Sequence, residues 1–320
     1  MRFFISLFLA LQALCILPAS AQDYPSKPIR LIVPFAPGGV ADIIGRLLAP
    51  PMGEALGGTV YVEDRSGAGG VIGSQELAKS APDGYSLVME DMAFTISAWV
   101  YPHLSYNPVK DFTPISLVAK TPEWLFVSAT TSIKSVEDFV AMAKKNPGKL
   151  TIGSSGNGTG THLMAELLKR EAGIDLTHVP YKGSGQSVVA ASTGEVTAVF
   201  AFMPVAAPFL KSGRLRAIAV TTETRVPGYP DVPTFKECGL NNMVVEHWLG
   251  IMGPADLPTR VVEKLNAAIK VGVKDPAVGE RFRSMALEPV SSSPAQFETL
   301  LASDLKRWGA IVQDARIRIQ

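Results

Sequence analysis

Two runs rich in glycine and hydroxyl side chains carry the polar chemistry of this chain. They are Phe35-Ala36-Pro37-Gly38-Gly39-Val40-Ala41-Asp42 and Ser154-Ser155-Gly156-Asn157-Gly158-Thr159-Gly160-Thr161. Each follows a β-rich segment and precedes a helical one. There, glycines let backbone N–H groups come close to a ligand, and the helix N-terminus offers partial positive charge. Either run alone reads equally well as a tight strand-to-helix turn. The pair, one in each half of the chain, favours capture of an anion across a cleft.

Elimination narrows what the runs can do. Neither fits the dinucleotide fingerprint, because the third glycine position after Gly156 and Gly158 falls on Thr161, and after Gly67 and Gly69 it falls on Ile72. Gly-Lys-Ser and Gly-Lys-Thr are absent, as is a Gly-x-Ser-x-Gly elbow. The four histidines, His103, His162, His178 and His247, show no metal-ligand spacing. No metal or cofactor is therefore expected. A neutral site of hydroxyls and backbone amides suits holding a carboxylate better than transforming it. The competing reading is a secreted hydrolase using Ser154 or Thr161 with His162 and Asp42, but an activated hydroxyl needs a base within hydrogen-bond reach.

The elements that must position these runs alternate. Residues 29–35, 60–64 and 85–89 read as short strands, and 125–128, 150–153, 177–181, 197–202 and 215–221 form a second set. Helical spacing lies between them, as in Ile43, Ile44, Leu47 and Leu48. Ser135, with Asp138 three residues on, caps a helix that stops at Asn146-Pro147-Gly148. Three helices are expected to start near Pro258, Asp275 and Pro294, and Pro50-Pro51 is expected to kink or restart the helix that contains it. The result is an α/β chain of two lobes with parallel sheets, whose ligands sit beyond the strand C-termini.

Composition agrees with a large globular core: 47% of the 320 residues are hydrophobic and 18% charged. Lys and Arg number 30 against 29 Asp and Glu, so no basic stripe supports binding to nucleic acid. Arg2, an apolar run, Pro18 and Ala19-Ser20-Ala21 form a cleavable signal peptide over residues 1–21. Its removal leaves a formally neutral, periplasmic chain with Cys238 as the sole cysteine, so no intrachain disulfide can form.

Many ordered motifs resemble the Bug family of extracytoplasmic solute receptors of tripartite tricarboxylate transporters. They include Tyr24-Pro25-Ser26-Lys27-Pro28, Pro37-Gly38-Gly39 with Asp42, Gly67-Ala68-Gly69-Gly70, Ala81-Pro82-Asp83-Gly84-Tyr85, Pro108-Val109-Lys110-Asp111-Phe112, His178-Val179-Pro180-Tyr181-Lys182-Gly183, Pro230-Asp231-Val232-Pro233-Thr234 and Trp248-Leu249-Gly250. The resemblance spans essentially the whole mature chain. It implies a type II periplasmic binding protein-like fold with a two-segment hinge, crossing near 120–124 and 221–225. Lobe 1 is then 22–121 with 223–320, and lobe 2 is 122–222. It also implies a monomeric receptor that closes on a small carboxylate and hands it to membrane permease subunits; a sensor kinase is the other possible recipient.

The resemblance places the ligand carboxylate on Phe35, Pro37, Gly38, Gly39, Val40, Ala41 and Asp42 from one loop. From the other it places it on Ser154, Gly156, Asn157, Thr159, Gly160 and Thr161. Departures from the family pattern at Glu90-Asp91, Ala201-Phe202-Met203 and Glu246-His247 add Asp91, Phe202, His247 and Trp248 to the expected site. They suggest a ligand with one carboxylate, an apolar or aromatic body lying against Phe35, Phe94, Phe202 and Trp248, and a second polar end near His247.

Overall fold

A computed structural model describes residues 24–314. The expected signal peptide at 1–21 lies outside them. The chain folds into two α/β lobes, each built on its own sheet. The first sheet has six strands in the order β11 (Glu288–Pro289), β4 (Phe112–Pro122), β10 (Glu246–Pro254), β3 (Ser86–Asp91), β1 (Ile29–Val33), β2 (Val60–Asp64), and the second has five in the order β7 (Thr177–Pro180), β6 (Thr151–Ser154), β8 (Ala198–Ala201), β5 (Trp124–Ser128), β9 (Leu215–Val220).

In the first lobe, β1 (Ile29–Val33) runs parallel to β2 (Val60–Asp64) and β3 (Ser86–Asp91). Its crossover helices are α1 (Val40–Leu56) and α2 (Val71–Ala78), and α3 (Ala93–Val100) follows β3. In the second lobe β6 (Thr151–Ser154) is parallel to β7 (Thr177–Pro180) and β8 (Ala198–Ala201). Its helices are α4 (Val136–Lys145), α5 (Gly160–Ala172), α6 (Ser184–Thr193) and α7 (Met203–Lys211). Ser135 caps α4 as expected, its hydroxyl accepting from the Asp138 amide.

The sheets are not wholly parallel. β4 (Phe112–Pro122) and β10 (Glu246–Pro254) form a long antiparallel ribbon, β10 also lies antiparallel to β3, and the two-residue β11 (Glu288–Pro289) pairs with β4. β5 (Trp124–Ser128) is antiparallel to both β8 and β9 (Leu215–Val220). These antiparallel strands come where the chain changes lobe: β4 ends in the first sheet at Pro122 and β5 opens the second at Trp124.

The return to the first sheet comes at Glu246, later than the expected crossing at 221–225. The delay has a physical reason. Val220 pairs with Thr234, and Val226, Tyr229 and Val232 pack onto the second lobe's core, so this excursion stays with the second lobe. A salt link between Arg225 and Glu237 at 3.0 Å closes it.

α8 (Thr259–Lys274), α9 (Pro276–Ser284) and α10 (Pro294–Asp314) complete the chain at the expected starts. Asp275 caps α9, accepting from the amides of Ala277 and Val278. Pro50-Pro51 does not restart α1, which is one helix from Val40 to Leu56. The carbonyls that these prolines cannot bond belong to exposed Arg46 and half-buried Leu47, within reach of water. Leu48, Pro51 and Met52 press against Gly272 of α8, and that packing holds the helix together.

Candidate functional site

The two glycine-rich loops face each other across the cleft between the lobes. In the first loop the Gly38 amide donates to Asp42 Oδ2 at 2.8 Å, and Asp42 is also paired with Arg46. Asp42 therefore fastens its own loop to the first turn of α1. In the second loop Thr161 is the hub. Its Oγ1 accepts from the Ser155 amide at 2.9 Å and lies 2.8 Å from Ser155 Oγ and 3.0 Å from Thr159 Oγ1. Thr159 caps α5, and the Gly158 amide donates to His162 Nδ1 at 3.2 Å.

Between the loops lies an inner chamber of about 20 Å³. Phe35, Gly39, Val40, Ala41, Asp91, Thr159, Gly160, Thr161, Phe202 and His247 line it, together with Ala36, Ser155, Gly183 and Ser184. A volume of that size holds about one water or one carboxylate-sized group. It shares Phe35, Ala36, Ser155, Thr159 and Gly183 with an outer chamber of about 630 Å³. Gly156 and Asn157 belong to the outer chamber, whose walls also include Gly67 to Gly70, Tyr101 and Pro180 to Gly183.

Several expected site residues line neither chamber. Pro37 and Gly38 lie on the exposed turn of the first loop, and Asp42 points back to its own backbone. Ser154 is fully buried, with its hydroxyl 2.7 Å from His178 Nε2. Trp248 is a core residue: 2% exposed, it donates from Nε1 to Asp304 at 2.6 Å and packs edge-on against Phe297. The pleat explains the difference, because successive side chains of a strand take opposite faces and His247 holds the cleft side of β10. Phe94 likewise belongs to the core, stacked on Tyr106 and edge-on to Phe112.

Ala36 and Ser155 lie within the two loops that the sequence marks, but the sequence reading missed Tyr101, the Gly67 to Gly70 wall and the Pro180 to Ser184 wall. The last two were visible as motifs, but nothing local says that they reach the cleft. Gly69 requires glycine: its φ is +64°, and a Cβ there would lie 2.6 Å from the Asn157 carbonyl of the other lobe. Tyr101 Oη donates to that same carbonyl at 3.4 Å, so the lobes meet at this point.

A buried ionic cluster floors the inner chamber. His247 Nδ1 lies 3.0 Å from Glu123 Oε1, and Nε2 lies 3.2 Å from Asp91 Oδ2, too far off line for a good hydrogen bond. Burial alone would pull the imidazole pKa down, but the two carboxylates outweigh it and raise it to about 9, so His247 is cationic. Burial raises the pKa of Glu123, and its Oε2 has no hydrogen-bond partner among the described residues. The cluster joins β3, the first crossing and β10. Gly160 rests on it from the second lobe, where a Cβ would lie 2.7 Å from Glu123 Oε1 and 3.0 Å from His247 Cε1.

The other histidines take no part in the cleft floor. His162 and His178 stack with centroids 4.1 Å apart, and burial depresses both to about 4. Neither His162 nor Asp42 approaches Ser154 as the hydrolase arrangement requires. Ser154 bonds His178, His162 accepts from Gly158, and Asp42 holds Gly38 in the other lobe.

Two α/β lobes joined by crossing strands, with paired loops closing over a small polar chamber, define a solute-binding receptor. The chain belongs to the tripartite tricarboxylate transporter receptor family, whose profile, described as "Tripartite tricarboxylate transporter family receptor", matches residues 44–317. Among its relatives is Protein BugT of Bordetella pertussis, 33% identical over 305 residues that cover 95% of this chain and 94% of BugT. Among solved structures, R. palustris Rpa4515 with adipate superposes with a TM-score of 0.89 at 30% identity, covering 93% of this chain and 100% of that one. MatC from Rhodopseudomonas palustris with bound malate gives 0.86 at 29% identity, covering 90% and 100%.

Proposed function

We propose that this receptor works in the periplasm, after loss of residues 1–21, and that it captures a small carboxylate and delivers it unchanged to membrane permease subunits. The observation that carries this reading is the inner chamber. It is sized for one carboxylate or one water, and hydroxyls of Ser155, Thr159 and Thr161 meet there with the backbone of the Gly39 to Ala41 turn. Water can bridge such a site at little cost, which tolerates ligands of varied shape. The adipate and malate complexes of the relatives support the same ligand class.

In this reading the lobes turn about the crossings at Pro122 to Trp124 and at Val245 to Glu246, with Glu123 and His247 beside the axis. The chain acts as a monomer, and it performs no chemistry: the one serine bonded to a histidine among the described residues is shut away from both chambers.

Thermal unfolding of the mature protein against mono-, di- and tricarboxylates, aromatic acids and amino acids tests the reading. A ligand at 100 times its Kd adds about 2.7 kcal/mol and raises Tm by about 5 °C for a chain of this size. Hits confined to carboxylates, recovered intact by mass spectrometry, are the expected result. A protein that purifies empty and responds to no carboxylate would refute it, and turnover of ester analogues would restore the hydrolase.

A further inference from the structure

We infer that the receptor has a second ligand site behind its hinge, which takes an uncharged ring compound bearing one hydroxyl group and favours the closed lobes when filled. A chamber of about 500 Å³ lies there, the size of a small-molecule site. Among the described residues, none that lines it also lines either cleft chamber. Strand parity sets the two sites on opposite sides of the second crossing. His247 lines the inner chamber of the cleft, and its neighbour Glu246 lines the chamber behind.

Both lobes build this rear chamber. The first supplies Ala286 and Leu287 from the turn after α9 and Pro289 from β11, the second supplies Val226 and Pro227 from the excursion after β9, and Pro122 stands at the crossing between them. These walls are apolar, and an apolar body fits them. Ala286 ends α9 in a left-handed conformation, φ +56°, where glycine is the easier residue, so a side chain stands at this wall instead of bare backbone. The charges cancel: Lys120 and Arg283 stand against Glu246 and Glu288, and Lys120 is already paired with Glu246 at 2.7 Å. An ion of either sign therefore meets as much repulsion as attraction, which favours a neutral occupant. One polar demand remains. Thr222 Oγ1 is buried and has no hydrogen-bond partner among the described residues, and a ligand hydroxyl would satisfy it.

The position of the chamber fixes its effect on closure. Its walls belong to different lobes and meet on the far side of the axis from the cleft, so parting the lobes at the cleft brings these walls together. With the lobes in contact at Gly69 and Asn157 the rear chamber stands open. An occupant therefore holds the lobes closed, and by linkage a ligand in the cleft tightens the rear site by the same factor. Only this coupling rests on the carboxylate reading above.

Calorimetry with 2-naphthol, which is neutral at pH 7, tests the assignment. It should bind at one site, Gly228→Trp should abolish that binding, and Thr222→Val should weaken it by about 2- to 10-fold, the size of one hydrogen bond. Gly228 lines the chamber, is exposed, and a Cβ there meets nothing within 4 Å, so an indole can fill the space without straining the fold. Saturating 2-naphthol should then raise the affinity for a carboxylate of the panel by about fivefold or more. No binding of 2-naphthol, a Kd unchanged in Gly228→Trp, or displacement of 2-naphthol by a carboxylate would overturn the rear site. Binding that leaves carboxylate affinity unchanged or lower would overturn its coupling to closure. A protein that binds 2-naphthol at this site and no carboxylate would support the rear site while the capture reading fell.

Discussion

Gly160→Ala should loosen ligand binding by destabilising the closed receptor and not the fold. Gly160 belongs to the second lobe, and the atoms it rests on belong to the floor of the first lobe and to the crossing. An alanine Cβ would stand 2.7 Å from Glu123 Oε1, 2.9 Å from Met92 Cε and 3.0 Å from His247 Cε1. None of these groups can yield easily, because Met92 and Glu123 are fully buried and the imidazole is held between two carboxylates. One added methyl in a packed site of this kind costs about 1–3 kcal/mol. If the lobes part, Gly160 lifts off the floor and the cost disappears. Ligand affinity, which requires closure, should then fall by about 5- to 150-fold. The open, ligand-free protein should keep its Tm within about 2 °C, helped by the higher helix propensity of alanine. Calorimetry with the best acid of the panel and unfolding scans without ligand read the two quantities separately. An unchanged Kd would refute the close approach. A ligand-free Tm that falls by 3 °C or more would show that the clash persists with the lobes apart, and closure would not be its origin.

Stability should fall as pH rises from about 6.5 to 9. Burial raises Glu90 to about 8 and the neighbouring carboxylates hold His247 at about 9. A folded pKa above the unfolded one gives stability that is complete below the unfolded value and is lost as pH passes the folded value. Both groups therefore act in the same direction across that window. Glu90→Gln, which keeps an acceptor for Ser74 Oγ, should flatten the part below pH 8; a wild-type Tm that is constant from pH 6.5 to 9 would contradict both placements. Cys238 should resist iodoacetamide at pH 7.4, because burial and nearby Glu137 and Glu237 push its thiol to about 11. Complete labelling of the native protein within minutes would be the opposite outcome.

The sequence marked eight strands correctly in kind and place, yet it left β4 and β10 unread. Both contain breakers. Pro114 and Pro122 interrupt the first, and Gly250 and Gly253 the second. A Cβ at Gly253 would run into Leu257 four residues on, and the need for glycine at Gly250 is set far along the chain, where a Cβ would run into the Phe297 ring. Register shifts beside Gly250 and Met252 absorb the irregularity. Periodicity cannot report a requirement set by a distant side chain. The same limit governed the site. The two loops declared themselves through local glycine, hydroxyl and helix-start patterns. Whether an aromatic faces the cleft or the core depends on strand parity within an unread strand, which is why Trp248 was placed in the cleft and belongs to the core, while His247 does line it.

The chain enters and leaves the second lobe on neighbouring strands, with Pro122 of β4 facing Glu246 of β10. Its entry and exit therefore lie about 5 Å apart, one strand spacing. A gene fragment bounded at these two positions encodes a unit whose ends already meet. Two such genes could exchange it by a double crossover without leaving a gap in either sheet. The loop that holds Thr161 and the Pro180 to Ser184 wall travel inside that fragment, whereas Asp91 and His247 stay behind. Recombination at these points would reassort half of a ligand preference at a time, giving the family a route to new solutes that point mutation in either lobe does not supply.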